Sequence, residues 1–304
     1  MIGLFGTITF DFIKNEKGIS FTSVGGVLYQ AGVLAGLDIK ARIYSNLGAE
    51  LKDKVFEIIN KWNSIDKKGI KVVPGKGNHV SLYYPVEGER IEILKSVVPP
   101  YDPEIILRDK NKLKGFIAVF NSGYDLTFED WRKIVNGLDC PIGLDIHSLA
   151  LEKKIGEKRK YRAFPEWIEW TKGVTYLQAN RREIASMLGK PEKLPSEEKI
   201  IKIGEKALSL GIKAVFVTLG EEGILVLSSE SVKKIIPHRV EKVIDTTGCG
   251  DVFASATMAK LIRGEEIYQA VKFGIELASR TVSLKGPQAV YELLKFENRH
   301  LTKI

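Results

Sequence analysis

Short apolar segments typical of buried strands alternate with longer segments of helical periodicity through most of this 304-residue chain. In such an order the helices cross over between parallel strands and cover both faces of the sheet. We therefore predict a single α/β domain over residues 1–304, with a doubly wound, mostly parallel sheet. The predicted strands are 2–6, 41–45, 116–120, 142–146, 174–177 and 214–218, and the predicted helices are 25–36, 50–62 and 196–210.

Two stretches depart from this alternation. Residues 8–23 hold two short segments around the turn Asn15-Glu16-Lys17-Gly18, and residues 79–96 alternate apolar and polar residues on either side of a Glu87-Gly88 turn. Both patterns predict antiparallel hairpins with one covered face. The two hairpins form either one small sheet, projecting as a lid over a site, or an extension of the edge of the main sheet.

The positive charge of the chain does not by itself indicate a nucleic-acid partner. The net charge is +8, but most basic residues alternate with acidic ones. A nucleic-acid surface would cluster basic residues with aromatic ones, so we predict a solvated surface rich in ion pairs. The basic run from Lys153 to Arg162 is assigned to that surface, with a phosphate-binding patch as the alternative.

The sequence gives little support for a membrane protein or a metal-binding protein. No apolar run approaches the ~20 residues that a membrane-spanning helix needs, and the N-terminus lacks the basic flank of a signal peptide. We therefore expect a cytoplasmic protein without a membrane partner. The two cysteines, Cys140 and Cys249, and the four histidines show neither a disulfide framework nor metal-ligand spacing.

The most informative segment is the run Asp245-Thr246-Thr247-Gly248-Cys249-Gly250-Asp251. It follows a strand-like stretch that ends at Asp245, and it precedes a helix that begins near Asp251. Glycines at a helix N-terminus expose backbone N–H groups, which together with the helix dipole attract an anion. The run is neither a Walker loop nor a dinucleotide fingerprint, because no Lys-Ser/Thr follows and Phe253 occupies the third glycine position.

Asp251 is the residue whose chemistry needs explaining. A carboxylate beside a phosphate-binding turn would repel the ligand, unless it takes a proton from an attacking hydroxyl group, as the catalytic Asp of protein kinases does. The alternative is an Asp that stabilises the first helical turn.

The Asp245–Asp251 run resembles the signature of the PfkB (ribokinase-like) carbohydrate kinase family, usually Asp-Thr-x-Gly-Ala-Gly-Asp. The resemblance implies that Asp251 is the catalytic base and that the amides of Gly248, Cys249 and Gly250 form an anion hole. Cys249 replaces the usual Ala, which leaves the backbone N–H unchanged. The resemblance also implies a ribokinase-like sandwich, in which the hairpins at about 8–23 and 79–96 form a β-lid.

Other segments match the same family in the same order along the chain. The resemblance implies that Asp11, Gly25 and Gly26 bind the substrate, together with Gln30, which stands where the family usually has Asn. The nucleotide contacts that it implies are Thr218, Gly220, Gly223, Thr247 and Gly286. Ile275 falls where many members have an Asn near the adenine, which leaves open an apolar adenine contact or a donor other than ATP.

The pair Asn180 and Glu183 forms the Asn-x-x-Glu pattern that helps to hold Mg²⁺ in this family. Alone, this pattern also fits a helix N-cap followed by a surface Glu. The resemblance therefore implies ATP and Mg²⁺, with a monovalent cation as a further candidate, and a small-molecule hydroxyl acceptor such as a sugar or polyol. A nucleoside kinase and a non-catalytic nucleotide-binding sensor remain as alternatives. Lid strands often pair between subunits in the family, which suggests a homodimer through the lid.

Overall fold

Ten strands form the central sheet of the computed structural model, which describes residues 1–16, 18–85, 90–240 and 243–301. Four more strands form a second sheet. In chain order the strands are β1 (Ile2–Phe5), β2 (Ile8–Asn15), β3 (Ser20–Gly26), β4 (Ala41–Gly48), β5 (Ile65–Asp66), β6 (Ile70–Val73), β7 (Asn78–Tyr84), β8 (Ile91–Ser96), β9 (Gly115–Val119), β10 (Ile142–Asp145), β11 (Tyr176–Asn180), β12 (Ala214–Thr218), β13 (Ile224–Ser228) and β14 (Val232–Ile235).

The central sheet is parallel except at one edge. Its order is β14-β13-β12-β11-β10-β9-β1-β4-β5, with β6 also paired to β4, and only β12-β13-β14 pair antiparallel within the described residues. In a parallel sheet the carboxyl ends of neighbouring strands meet at one edge, where open α/β sheets bind their ligands. The ends of β10, β11 and β12 therefore mark the edge at which to look for a site.

Helices cover both faces of the central sheet, as predicted for a doubly wound fold. The helices are α1 (Val27–Gly36), α2 (Lys52–Ile59), α3 (Pro103–Leu107), α4 (Phe128–Gly137), α5 (Trp167–Thr171), α6 (Arg181–Met187), α7 (Glu197–Ser209), α8 (Cys249–Ile262), α9 (Ile267–Thr281) and α10 (Gly286–Leu301). One apolar core packs α1, α2, α8, α9 and α10 against the sheet, and a second core packs α3 to α7 against its other face. Gly32 lets α10 approach α1 closely, because a Cβ there would lie 2.7 Å from the carbonyl oxygen of Pro287.

The second sheet is separate from the first and has the order β3-β2-β7-β8. Two antiparallel hairpins, β2-β3 and β7-β8, are joined by the parallel pair β2-β7. The prediction of one small separate sheet is confirmed, whereas its role as a lid stays a prediction. Glu87, Gly88 and Lys17 of the two predicted turns lie outside the described residues.

A loop after β10 adds to the free edge of this second sheet. Its residues 151–161, here called the clasp segment, fold back on themselves and pair with β8. The amide of Gly156 donates to the Leu94 carbonyl at 2.8 Å, and the amide of Arg159 donates to the Glu92 carbonyl at 3.0 Å. The sequence assigned the basic run 153–162 to a solvated surface. This is wrong for Arg159, whose side chain is 0% exposed because it reaches under the second sheet.

Two predicted boundaries differ from the structure. Val243 and Ile244 form no strand before the glycine-rich turn. Their backbone is irregular and both residues are exposed. Gly25 and Gly26 end strand β3 instead of beginning a helix, and α1 starts after Gly26, whose φ of 62° interrupts regular structure. Among the described helices, none is both long enough and apolar enough to span a bilayer.

Candidate active site

The glycine-rich turn leads directly into α8 and exposes the N-terminus of that helix. Gly248 is the N-cap, with a φ of 79°. A Cβ at this position would also lie 2.5 Å from the ring of Tyr29, so both the backbone angle and the close packing require glycine. The helix begins at Cys249, two residues earlier than predicted, so Asp251 lies in its first turn. The amide of Cys249 donates a long hydrogen bond of 3.3 Å to the Thr246 carbonyl.

Asp251 is half-buried and lies among other carboxyl groups. The side-chain amide of Gln30 in α1 donates to Oδ1 of Asp251 at 3.2 Å. Burial and the negative charge of Asp145, with a smaller effect from Asp11, raise the pKa of Asp251 well above its usual range. The hydrogen bond from Gln30 and the positive charge of Arg90 oppose this rise. Such a carboxyl group has the raised proton affinity that suits a general base near neutral pH.

A second buried glutamine supports the same turn from the sheet side. Gln178 in β11 is the register partner of Asp145 in β10. Its side-chain amide donates to Oδ2 of Asp145 at 2.8 Å and to the Gly250 carbonyl at 3.1 Å. Burial raises the pKa of Asp145 to about 7. The ends of two central strands are thus fixed to the start of α8.

Asn180 and Glu183 form a reciprocal capping box at the start of α6. Oδ1 of Asn180 accepts from the Glu183 amide at 2.9 Å, and Oε2 of Glu183 accepts from the Asn180 amide at 2.7 Å. The helix N-cap that the Asn-x-x-Glu pattern also fits is therefore present in the structure. Glu183 is nevertheless buried, and this burial together with the charge of Asp145 raises its pKa well above the usual range.

This pair of carboxyl groups fits a bound cation. Asp145 and Glu183 repel one another when both are ionised, and a divalent cation would relieve that repulsion. Carboxylate oxygens are the ligands that Mg²⁺ prefers, and Mg²⁺ keeps several waters and substrate phosphates as its other ligands. Among the residues that the structure describes, no group of three or more His, Cys, Asp or Glu side chains could hold a metal ion. A cation beside Asp145 and Glu183 would therefore have few direct protein ligands.

Asp11 lies on the inner face of β2, and its charge is among those that raise the pKa of Asp251. Asp11 is 3% exposed, and burial raises its pKa to about 7, although a hydrogen bond with Thr9 opposes the rise. The backbone of Gly25 lies directly against this carboxyl group, since a Cβ at Gly25 would collide with Oδ2 of Asp11. A Cβ at Gly26 would collide with the carbonyl oxygen of Thr7. Both glycines are therefore required for the close approach of the backbone around Asp11.

The second sheet contacts the anion-binding turn and carries its own ionic network. The hydroxyl group of Tyr84 in β7 lies 2.7 Å from Oγ1 of Thr247. Glu92 in β8 accepts from Arg90 at 3.0 Å and from the clasp residue Arg159 at 2.8 Å. Burial alone would raise the pKa of Glu92, but the charges of Arg90, His147 and Arg159 bring it below its usual value.

The predicted donor residues lie at the end of β12 and beyond. Thr218 is the register partner of Asn180. Gly220 and Gly223 both have positive φ values, and a Cβ at Gly223 would collide with the Ile235 carbonyl. Exposed apolar side chains follow β14 and precede the glycine-rich turn along the chain: Ile236 at 70%, Val243 at 61% and Ile244 at 37%.

Two residues on the C-terminal side were considered as neighbours of the nucleotide. Ile275 is buried in the apolar core of α9, so it does not offer an exposed surface to an adenine ring. Gly286 begins α10 and lies against β3 of the second sheet, because a Cβ there would be 2.7 Å from Oγ of Ser23. Its contact with a nucleotide stays a prediction.

The structure thus brings most of the predicted residues to one edge of the sheet and adds several that the sequence did not assign. Gln178, Tyr84 and the Glu92 network were missed, and no site role was assigned to Asp145. The period-two pattern of β7 was the available signal for Tyr84, which follows Val80 and Leu82 on one face. In β8 the same pattern is misleading, because Glu92 alternates with Ile91 and Ile93 but is the buried residue, together with Leu94. Gln30 contacts the predicted base, whereas the family pattern implied a contact with the substrate.

Known proteins resemble this chain in sequence. The family described as "pfkB family carbohydrate kinase" matches residues 161–293. The cytidine kinase of Thermococcus kodakarensis is 23% identical over 288 residues, which is 94% of this chain and 97% of that protein. The ribokinase of Staphylococcus aureus is 32% identical over 108 residues, but the alignment spans only 35% of either chain.

Solved structures resemble the chain over almost its whole length. A pyrophosphate-dependent kinase in the ribokinase family, solved as a sulfate complex, superimposes with a TM-score of 0.79 at 17% identity, covering 96% of this chain and 99% of the other. The ribokinase of Thermotoga maritima superimposes with a TM-score of 0.72 at 20% identity, covering 98% and 99%. At these identities the superpositions establish the fold.

Proposed function

We propose that this chain is a kinase of the pfkB carbohydrate kinase family and transfers the γ-phosphoryl group of ATP to a hydroxyl group of a sugar, polyol or similar small molecule. The observation that carries the proposal is the position of Asp251. It is a carboxyl group of raised pKa in the first turn of a helix whose exposed N-terminus attracts anions. A carboxylate beside an anion-binding turn would repel the phosphate of the donor. Its presence there suits catalysis only if the carboxylate accepts a proton from the attacking hydroxyl group.

The residues of the chain divide the reaction between them. Asp251 takes the proton of the attacking hydroxyl group, which makes the oxygen a better nucleophile. The amides of Gly248, Cys249 and Gly250 stabilise the negative charge on the transferred group. Asp11, Gly25 and Gly26 orient the acceptor, and the second sheet limits the access of water to the cleft. Thr218, Gly220, Gly223, Thr247 and Gly286 are the proposed contacts of the nucleotide.

Mg²⁺, where bound, would neutralise charge on the phosphates. Glu183 and Asn180 are the residues proposed to position it, most directly through water, with Asp145 as a neighbouring carboxylate. The buried and mutually repelling pair of Asp145 and Glu183 supports this assignment. A monovalent cation remains a candidate cofactor on the family resemblance alone.

The acceptor that the site favours is uncharged and polyhydroxylated. Asp11 can only accept hydrogen bonds when ionised, which suits neighbouring hydroxyl groups. The nearby arginines do not form an anion site, because Arg90 and Arg159 both bind Glu92. A nucleoside satisfies the same description, and the cytidine kinase that aligns with nearly the whole chain makes it the second candidate.

The decisive experiment is a panel of sugars, polyols and nucleosides, including cytidine, assayed for product with ATP, other nucleoside triphosphates or pyrophosphate. Turnover with ATP and an uncharged acceptor is the expected result. A best acceptor that already carries phosphate would contradict the assignment of Asp11.

Asp251→Asn then tests the base in the enzyme with its best acceptor. The variant keeps the shape and the hydrogen bonding of the side chain but cannot take a proton, so kcat should fall by ~10²–10⁴-fold, with ATP affinity largely retained. Near-normal kcat would refute the base assignment. If the wild-type chain binds ATP but turns over no acceptor, it is a nucleotide-binding sensor.

Two coarser expectations belong to the same proposal. A cytoplasmic location follows only from the sequence arguments above. A homodimer through the lid is supported by Phe12, which is 44% exposed on the outer face of β2 beside Phe10 and His79. Light scattering of the wild-type protein and of Phe12→Glu would test it, with a monomeric wild type as the contradicting result.

A further inference from the structure

One polar side chain in helix α1 has no packing explanation. All ten residues of α1 are buried, and Gln30 carries the one amide among them. Its side chain is 0% exposed. Nε2 donates to Oδ1 of Asp251 at 3.2 Å, while Oε1 is buried without a hydrogen-bond partner in the part of the chain that the structure describes.

The orphaned oxygen atom makes Gln30 a poor choice for stability. A buried acceptor without a partner lowers the stability of the fold, whereas an apolar side chain of the same shape at this place would not. The amide therefore contributes little to packing, and its single hydrogen bond is directed at the proposed base. Residues that weaken the fold in this way occur where function needs them.

We propose that Gln30 is a positioning residue, which holds the carboxyl group of Asp251 by Oδ1 so that Oδ2 faces the hydroxyl group of the acceptor. This inference rests on the proposed function and replaces the sequence prediction that Gln30 binds the substrate. The local packing supports it, because the ring of the adjacent Tyr29 lies against Gly248 in the same turn. Helix α1 thereby fixes both the backbone of the anion-binding turn and the orientation of the base.

The hydrogen bond also affects when Asp251 can act. A donor stabilises the ionised carboxylate, so loss of Gln30 raises the proton affinity of Asp251 further. The other titratable groups that interact electrostatically with Asp251 are Asp145, Asp11, Arg90, Tyr29 and Cys249. None of these is altered by a substitution at Gln30, so the direction of the change is set by the lost donor.

The test substitutes Gln30 by an apolar residue of similar shape. In Gln30→Met, kcat should fall about 10- to 100-fold through loss of orientation. The acid limb of the kcat profile should move up by about one pH unit. The acceptor KM and the thermal unfolding midpoint should stay the same or improve. Leu28→Met in the same buried helix is the matched control, which should leave kcat and its pH profile unchanged and lower the thermal unfolding midpoint only slightly.

Gln30→Asn provides a second variant, because it keeps an amide that is too short to reach Asp251. It should reproduce the loss of kcat and the shift of the acid limb. A rise of acceptor KM with an unchanged pH profile would overturn the inference and favour a substrate contact. A loss of stability with normal kcat per folded molecule would overturn it in favour of a structural role.

A final measurement separates this inference from the proposed function. The side-chain carboxyl carbon of Asp251, labelled with ¹³C, can be titrated by NMR in wild-type and Gln30→Met protein without any turnover. A higher pKa in the variant supports the contact between the two residues even if the chain proves not to be a kinase. An unchanged titration overturns it, whatever the acceptor panel shows.

Discussion

At the scale of single residues, the buried carboxyl groups of the site differ in how many positively charged partners they have. Glu92 has two arginine partners and a lowered pKa, whereas burial raises the pKa of Asp11 to about 7. A buried carboxylate that lacks a cation is costly. Hydroxyl groups of a bound acceptor would donate to Asp11 and offset part of that cost, which is why we assign Asp11 to the acceptor.

Asp11→Ala should therefore weaken use of the acceptor and leave the donor unaffected. Hydrogen bonds to a charged group contribute about 1.5–3 kcal/mol each, so kcat/KM for the acceptor should fall by one to several powers of ten. Acceptor binding to the wild-type protein, measured by calorimetry, should weaken as the pH falls through about 7, because protonation removes the charge of Asp11. Asp11→Asn should bind the acceptor without that pH dependence. Equal losses of ATP affinity and thermal stability would instead indicate a structural role.

Asn180→Ala and Glu183→Ala should each raise the Mg²⁺ concentration needed for half-maximal rate. The effect should be partial and reversed by excess metal, because Mg²⁺ keeps much of its water shell. Both changes also remove the capping box, which costs about 1 kcal/mol of stability, so unfolding is measured in parallel. Glu198→Gln, at an exposed position in α7, is the control. An unchanged Mg²⁺ titration in both variants would leave the pair with the capping role alone.

At the scale of elements, the clasp segment changes how the second sheet can behave. It pairs with β8 along the backbone and inserts Arg159 beneath the sheet, where Nη1 binds both Glu92 and Ser148. Nε of the same guanidinium donates to the Glu152 carbonyl at 2.9 Å. Any movement of the second sheet away from the clasp segment must break the ion pair between Arg159 and Glu92 and the backbone hydrogen bonds with β8. We therefore expect the clasp segment to move with the sheet.

Arg159→Met should destabilise the protein by about 3–5 kcal/mol, because it leaves a buried carboxylate with one partner fewer. Arg90 remains beside Glu92, so the loss should lie at the lower end of that range. Lys158→Met, at the exposed neighbouring position, should change stability by less than about 0.5 kcal/mol.

A double-mutant cycle with Glu92→Gln, followed by chemical denaturation, isolates the pair. The double variant should lose clearly less stability than the sum of the two single variants, because both substitutions remove the same ion pair. Strict additivity would show that Arg159 acts through its contacts with the Glu152 carbonyl and Ser148, and not through Glu92.

The elements also show what sequence patterns can and cannot predict. Hydrophobic periodicity predicted six strands of the central sheet, the two hairpins of the second sheet and helices α1, α2 and α7, because burial repeats along each element. It did not predict the short strands β5 and β6 or the antiparallel edge strands β13 and β14. The glycine-rich run predicted the helix start, because only a few backbone geometries suit its glycines. The contact between Gln30 and Asp251 joins positions 221 residues apart. It depends on how α1 and α8 pack, and no local pattern encodes that packing. Arg159 was misassigned for the same reason, since its neighbours are exposed and its partner lies in β8.

At the scale of the whole molecule, the buried carboxyl groups of the cleft make the free energy of unfolding fall as the pH rises towards neutrality. The pKa values of Asp11 and Asp145 rise to about 7, and those of Glu183 and Asp251 are also raised. Between pH 5 and pH 7.5 the folded protein therefore binds more protons at these groups than the unfolded chain does. Stability then falls as pH rises through this window. His147, whose pKa is lowered by burial, acts in the opposite direction but is a single group.

We predict that the ligand-free protein is less stable at pH 7.5 than at pH 5.5, by on the order of 2 kcal/mol in the free energy of unfolding. Carboxyl groups with lowered pKa values, such as Glu92 and Asp130, do not change this result, because they are ionised throughout the window. Denaturation at constant ionic strength measures the difference.

Asp145→Asn should remove much of this difference in stability, since the substitution leaves Glu183 without its nearest like charge. Added Mg²⁺ should restore stability at pH 7.5 and have little effect at pH 5.5, where these groups are protonated. A protein that is more stable at pH 7.5 without ligand would contradict the raised pKa values on which the assignments of base, metal site and acceptor contact all depend.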